Sequence, residues 1–297
     1  MLSKQNHKSL GYIVALVVVL IWGSSYVCSK VLVSYGLDPY VIYCGRALMS
    51  YICLVFLSHS SFFSQSWKDE LLFLSLGLSG GSVYYVLENT SLIYSTASNV
   101  SFIICSTPMV SSFLAVLFLK DVKAKPQLFA GAFIAVAGLA VVEFYGKSFS
   151  MHWLGDVLAI AACFSWAIYT LLIRGLSSKY DVFFINRKVF FYGLITVSPF
   201  ALCNLNLDQI QSLPFSHVFC WVYLALISSC ACFLAWTYVV KTIGVLKASN
   251  LIYFNPVATM FFAYFIINEP LSISTVLGSC LILFGVMLAA KGNTEQM

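Results

Sequence analysis

Residues 97–121 read ASNVSFIICSTPMVSSFLAVLFLKD, and residues 248–269 read ASNLIYFNPVATMFFAYFIINE. Each is apolar and long enough to cross a bilayer, which takes about 20 residues. Each carries a proline and ends in an acid. Aligned on the shared Ala-Ser-Asn, the prolines fall three residues out of register. Aligned on Pro108 and Pro256, Asp121 falls on Glu269, 13 residues beyond the proline in both copies. The proline-to-acid spacing is therefore the retained feature, and the tripeptide reads as coincidence. Proline lacks an N–H and crowds the carbonyl four residues back. Kinks are expected near Ile104 and Ile252, with Thr107 and Asn255 placed to take the freed backbone groups.

The rest of the chain has the same character. Of its 297 residues, 61% are hydrophobic and 9% charged, against about 25% charged in soluble domains. So little charge cannot cover a water-facing surface, and the fold expected is an all-α integral membrane protein. Ten segments are candidate spans: about 11–34, 39–58, 70–93, 97–119, 127–145, 154–176, 182–203, 217–240, 246–267 and 273–290. Arg187 and Lys188 interrupt the seventh and are expected to snorkel to the membrane surface. The apolar N-terminal run has no small-residue cleavage site after it and reads as a first span rather than a signal peptide. The ten cysteines contain no C-x-x-C pair and read as small buried residues, not a disulfide or metal framework.

Charge sets the orientation. With the N-terminus in the cytoplasm, the inner loops hold eleven lysines and arginines, among them Lys68, Lys120, Lys123, Arg174 and Lys179, while the outer loops hold Lys147 alone. Such segregation follows the positive-inside rule and puts both termini in the cytoplasm.

The two halves match. Gly11, Trp22 and Lys30 correspond to Gly155, Trp166 and Arg174 at an offset of 144. The proline–acid pairs correspond at 148, and Gly131 and Gly138 correspond to Gly278 and Gly285 at 147. Five spans per half is odd, so the second half enters from the opposite side. Residues 1–147 and 148–297 are thus expected to form two inverted five-helix repeats. This is an arrangement typical of secondary transporters, with substrate bound near the midplane between repeats. Small residues two turns apart, as in the glycine pairs, let helices approach closely.

Trp22-Gly23, the mid-helix Pro108 and Pro256, the acids closing spans 4 and 9 and the glycine pairs together resemble the EamA-type transporters of the drug/metabolite transporter superfamily. The resemblance covers nearly the whole chain. It implies ten helices in two inverted halves, a bacterial inner-membrane location and export of small metabolites or amino acids. Asp121 departs from the glutamate usual at its position.

Polar groups inside a membrane face the bundle interior or a cavity. Helical spacing places Gly77, Gly81, Tyr84, Glu88 and Ser91 on one face of span 3, Trp22, Tyr26 and Lys30 on span 1, and Trp166, Tyr169 and Arg174 on span 6. Ser228, Cys232 and Trp236 of span 8 and Asn250, Tyr253 and Asn255 of span 9 complete the expected pathway, with Asn99 and Ser106 of span 4. Glu88, Lys30 and Arg46 lie at similar depth and are expected to cluster. They read either as a proton-coupled gate or substrate anchor, or as a static ion pair. Glu143 and Asp156 read as solvated end charges, and His217 as an interfacial residue. The expected partners are a small-molecule substrate, lipid and, as coupling ion, protons; no cofactor, metal or nucleic acid is expected. A lipid-modifying membrane enzyme would need an intramembrane nucleophile or metal set, yet there is no H-E-x-x-H and the four histidines fall at membrane ends. A channel would need a repeated filter element. The short loops leave no room for a soluble catalytic domain, and no phosphate-binding loop supports ATP drive.

Overall fold

In the computed structural model, residues 2–57, 62–118, 126–144, 152–177, 179–243, 251–270 and 273–291 are described. Among them all regular structure is helical, because only helices or closed barrels satisfy every backbone group in hydrocarbon. In order these are α1 (Leu2–Ser34), α2 (Pro39–Leu57), α3 (Trp67–Gly77), α4 (Val83–Tyr94), α5 (Ala97–Ile104), α6 (Thr107–Phe118), α7 (Pro126–Phe144) and α8 (His152–Ser177). They continue as α9 (Val182–Cys203), α10 (Leu207–Gln211), α11 (Phe215–Val222), α12 (Cys232–Ile243), α13 (Asn255–Ile267) and α14 (Ile273–Lys291). Six described segments are long and apolar enough to cross a membrane: Ser9–Ser34, Pro39–Leu57, Trp67–Tyr94, Ala97–Phe118, Trp153–Ile173 and Phe215–Trp236. The protein is therefore a multi-pass membrane protein.

Both proline helices are broken at matching places. The first turns at Cys105–Ser106, between α5 and α6, and the second at Tyr253–Phe254, just before α13. The freed carbonyls of the first break are taken as expected: Thr107 Oγ1 donates to Ile104 O at 2.5 Å. Ser106 Oγ and Cys163 Sγ both donate to Ile103 O, the latter at 3.3 Å. At the second break the buried side-chain oxygen of Asn255 has no hydrogen-bond partner among the described residues. Beyond the break Thr259 Oγ1 donates to Asn255 O and to Gly23 O, each at 3.0 Å. This bond ties α13 to α1, and Gly23 permits it: a Cβ there would lie 2.5 Å from Ala258 Cβ.

The third and eighth spans each contain a π-helical stretch, Leu78–Ser82 between α3 and α4 and Tyr223–Ala231 between α11 and α12. Widened turns of this kind are frequent at functional sites. In each, backbone carbonyls are met by a donor from the other half of the chain. Ser165 Oγ donates to Ser79 O at 2.7 Å, while Trp22 Nε1 donates to Ser228 O at 3.1 Å and Ser50 Oγ to Ala225 O at 2.9 Å.

Helices α7 and α14 pack directly against each other through the predicted glycines. A Cβ on Gly138 would lie 2.7 Å from Gly278 O, and one on Gly285 2.5 Å from Gly131 O. The partner number falls as the first rises, so the helices run antiparallel. Gly285→Ala must push the backbones apart; overpacking costs about 1–3 kcal/mol. A lowered thermal midpoint of the solubilised protein is the expected result, and Gly175→Ala, whose nearest neighbour would be Leu72 Cδ2 at 3.8 Å, is the neutral control.

Candidate functional site

The π-helical stretches and α1, α2, α4 and α8 converge on a buried polar cluster. Arg46 on α2 is 3% exposed and Glu88 on α4 is 5% exposed. Arg46 Nε donates to Ser229 Oγ at 2.6 Å, and its guanidinium lies 4.2 Å over the Tyr85 ring. The Glu88 carboxylate lies within electrostatic reach of that guanidinium and beside the Tyr84 hydroxyl, which in turn meets Tyr26. A charge in hydrocarbon is tolerable only when compensated and hydrogen-bonded: Arg46 finds Ser229 and the Tyr85 ring, and Glu88 finds Tyr84 one turn back on its own helix and the field of Arg46.

Aromatic rings extend the cluster across both halves. Trp236 lies 5.1 Å from Trp22, Trp22 5.9 Å from Phe233, and Phe233 6.3 Å from Trp166. Trp166 contacts Tyr84 at 4.8 Å and Tyr169 at 4.9 Å, and Tyr85 stacks on Tyr43 at 5.1 Å. One end of the arrangement is ionic and the rest is a wall of π faces, suited to a small solute with a charged group and an apolar or cationic body.

The structure thus brings together Trp22, Tyr26, Arg46, Tyr84, Glu88, Trp166, Tyr169 and Trp236. It places three others elsewhere. Lys30 points outward and donates to Leu92 O at 2.5 Å and Ser95 O at 2.9 Å. Asn99 turns to Asp156 Oδ1 at 2.6 Å and Ser95 Oγ at 2.9 Å. Tyr253 packs with Phe102, Cys105, Ala135 and Ile282. Asn250, Asp121 and the side chain of Pro108 lie outside the described residues; Pro256 is buried beside α1. Asp156 is not a solvated end charge: it is 5% exposed and takes the Asn99 amide. Sequence reasoning missed Tyr85, Ser229 and Phe233, because nothing in an apolar pattern marks a π turn and the rotation it adds.

A second ionic group ties α3 to α9 near the cytoplasmic end assigned by charge. Lys188 does not snorkel. It is 2% exposed, and its Nζ donates to Glu70 Oε1 at 2.7 Å. Five rings surround the ammonium, those of Phe62, Phe63, Phe184, Phe191 and Tyr192, at 4.8–6.0 Å. The Tyr192 hydroxyl also donates to Glu70. Beside it, Asp69 accepts from Lys179 at 3.1 Å and from Tyr180 at 2.9 Å. Burial and this neighbouring carboxylate push the Tyr180 hydroxyl above its ordinary pKa.

Comparison with known proteins agrees with this architecture. The EamA-like transporter family profile matches residues 9–144 and again 153–291. An uncharacterized transporter of Archaeoglobus fulgidus is 29% identical over 275 residues, covering 91% of this chain and 93% of the relative. A probable terminal-alkyne amino-acid exporter of Streptantibioticus cattleyicolor is 24% identical, covering 74% and 73%. A crystal structure at 17% identity superposes with a TM-score of 0.62 over 97% of this chain and 99% of its own. With its helical fold, its bilayer-length apolar segments and a profile match across both halves, the chain belongs to the EamA-like transporter family.

Proposed function

We propose that this chain is a secondary transporter that exports small organic solutes such as amino acids across a bacterial inner membrane by alternating access. It would use ten spans in two inverted five-helix halves, 1–147 and 148–297, with both termini in the cytoplasm. The observation that carries the reading is the Arg46–Glu88 cluster, where two first-half helices bury opposite charges within electrostatic reach of each other and Arg46 bonds the second-half Ser229 in a π-helical stretch. Inverted halves are supported by contacts that exchange under the sequence offset. The Gly138–Gly278 approach maps onto Gly285–Gly131. Likewise Gly11, which meets Thr242 and Ile243, mirrors Gly155, which meets Ser91 and Ser95. Arg46 suits a substrate carboxylate, and the rings suit the remainder. The relative named as an amino-acid exporter supports the solute class.

Counterflow in proteoliposomes tests the proposal. Preloaded unlabelled amino acid should accelerate uptake of the labelled one; a channel would show no trans-stimulation. Trp22→Ala removes a ring contact worth about 0.5–2 kcal/mol, so KM should rise by roughly 2–30-fold with the maximal rate little changed. If Glu88→Gln leaves the rate and its pH dependence untouched, Glu88 is a static partner of Arg46 and protons are coupled elsewhere.

A further inference from the structure

We propose that Glu269, which spans the two halves, and Lys30, which braces the turn it docks on, form an outer gate that must open for solute to leave the central cluster. The local sequence builds it. Helix α13 ends at Ile267, and Asn268 adopts the left-handed conformation with φ 52°, which asparagine tolerates better than most residues. Glu269 N then bonds back to Ala263 O at 3.1 Å, and Pro270 follows. This turn aims the Glu269 carboxylate at the start of α5, in the other half of the chain. It accepts from Ala97 N at 3.0 Å and Ser98 N at 3.1 Å. The next amide, Asn99 N, is taken by Thr96 Oγ1, so the first three amides of α5 are satisfied, two of them by a residue 171 or 172 positions away. A carboxylate at a helix N-terminus also gains from the helix dipole.

Lys30 does the complementary job. Its ammonium caps the carbonyl end of α4 through Leu92 O and Ser95 O and feels the Glu269 charge. The turn from α4 to α5 is thus held by a cation on one side and an anion on the other. Its position is that of a gate. Lys30 lies one turn, about 5.4 Å, beyond Tyr26 of the central cluster. On its other side Lys30 and Glu269 line a cavity of about 550 Å³ with Thr96, His217 and Pro270. Glu269 itself is 8% exposed. The inference rests on the alternating-access reading, and its test is separable from it.

Two native thiols serve as reporters. Cys163 is 1% exposed and lies within electrostatic reach of Glu88; Cys203 is exposed at the end of α9, on the outer side by the charge rule. The wild type and the Glu269→Gln and Lys30→Met variants, in proteoliposomes of known orientation, are treated from either face with a membrane-impermeant sulfonated methanethiosulfonate. Modification is then mapped by mass spectrometry. From the face on which Cys203 reacts, Cys163 should react at least tenfold faster in both variants than in wild type. From the opposite face its rate should not change. Cys230, buried against Cys53, should stay slow throughout. If Glu269→Gln exposes Cys230 as well, its fold is lost and Lys30→Met decides. An unchanged Cys163 rate in a variant that keeps Cys230 protected overturns the gate. Faster Cys163 labelling without counterflow would keep the gate and overturn the carrier.

Discussion

Arg46→Met is expected to cut transport deeply and to cost about 3–5 kcal/mol of stability, the order of the penalty for leaving a buried charge uncompensated. The side chain holds three things at once: the Ser229 hydroxyl, the Tyr85 face and the field at Glu88. Methionine fills a similar volume and makes none of these interactions, so Glu88 stays buried without its counter-charge. Arg46→Met/Glu88→Gln should recover more than half of the lost stability, because no charge is then left uncompensated, yet transport should stay as low as in the single variant. Losing a hydrogen bond to a charged group costs about 1.5–3 kcal/mol, which corresponds to roughly 10–150-fold in rate if the bond is made to substrate in the transporting state. Arg46→Lys separates the roles further. It keeps the charge but not the planar fork that can serve Ser229 and the ring together; stability should fall less than in the methionine variant, and transport should stay low. Thermal unfolding with and without substrate, paired with counterflow, measures both quantities. A double variant as unstable as the single would mean that Arg46 is not compensating Glu88.

The parts of this molecule that were legible from sequence share a cause. Glycine pairs and mid-helix prolines act through the backbone of their own helix or one neighbour, so spacing alone carries the information. Gly131, Gly138, Gly278 and Gly285 meet as their offset implies, and the breaks before Pro108 and Pro256 fall 148 residues apart. Site aromatics such as Trp22, Tyr84 and Trp166 were found because helical periodicity put them on polar faces. What was not legible depends on contacts distant in sequence. Lys30 shared a depth with Glu88, but depth says nothing of azimuth, and its long stem reached the carbonyl end of α4 instead. The docking of Glu269 on the start of α5 left no mark in the sequence either, because backbone amides of any residue would serve. The Ala97 and Ser98 amides are where the acid closing the second proline helix docks. The π stretches left no apolar signature at all, since every residue in them is one an α-helix would also accept.

The Lys188 cage shows the same limit and yields an asymmetric prediction. A lysine near the start of a span usually reaches for water. Here the Phe62 and Phe63 rings lie against its ammonium, and Glu70, in the first turn of α3, supplies the only carboxylate bound to it among the described residues. Ser66 caps the helix that carries Asp69 and Glu70, its Oγ accepting from Asp69 N at 3.2 Å, but a cap says nothing of a partner 118 residues on. Glu70→Gln should cost about 3–5 kcal/mol, because a fully buried ammonium loses its counter-ion and rings alone return about 2 kcal/mol. Lys188→Met should cost less, about 1–3 kcal/mol. The Glu70 side chain is 13% exposed and keeps the Ser64 amide and the Tyr192 hydroxyl as donors, while methionine sits well among aromatic rings. Lys179→Ala, on the partner pair whose lysine is 52% exposed, should change little, since exposed ion pairs are worth least. The order Glu70→Gln, then Lys188→Met, then Lys179→Ala is read from unfolding midpoints at low and high salt. Salt should move the Lys179 pair and leave the Lys188 pair nearly unaffected, because a caged ammonium is screened by rings rather than by ions. The reverse order for the first two variants would mean that the cage, not the carboxylate, holds the lysine in the interior.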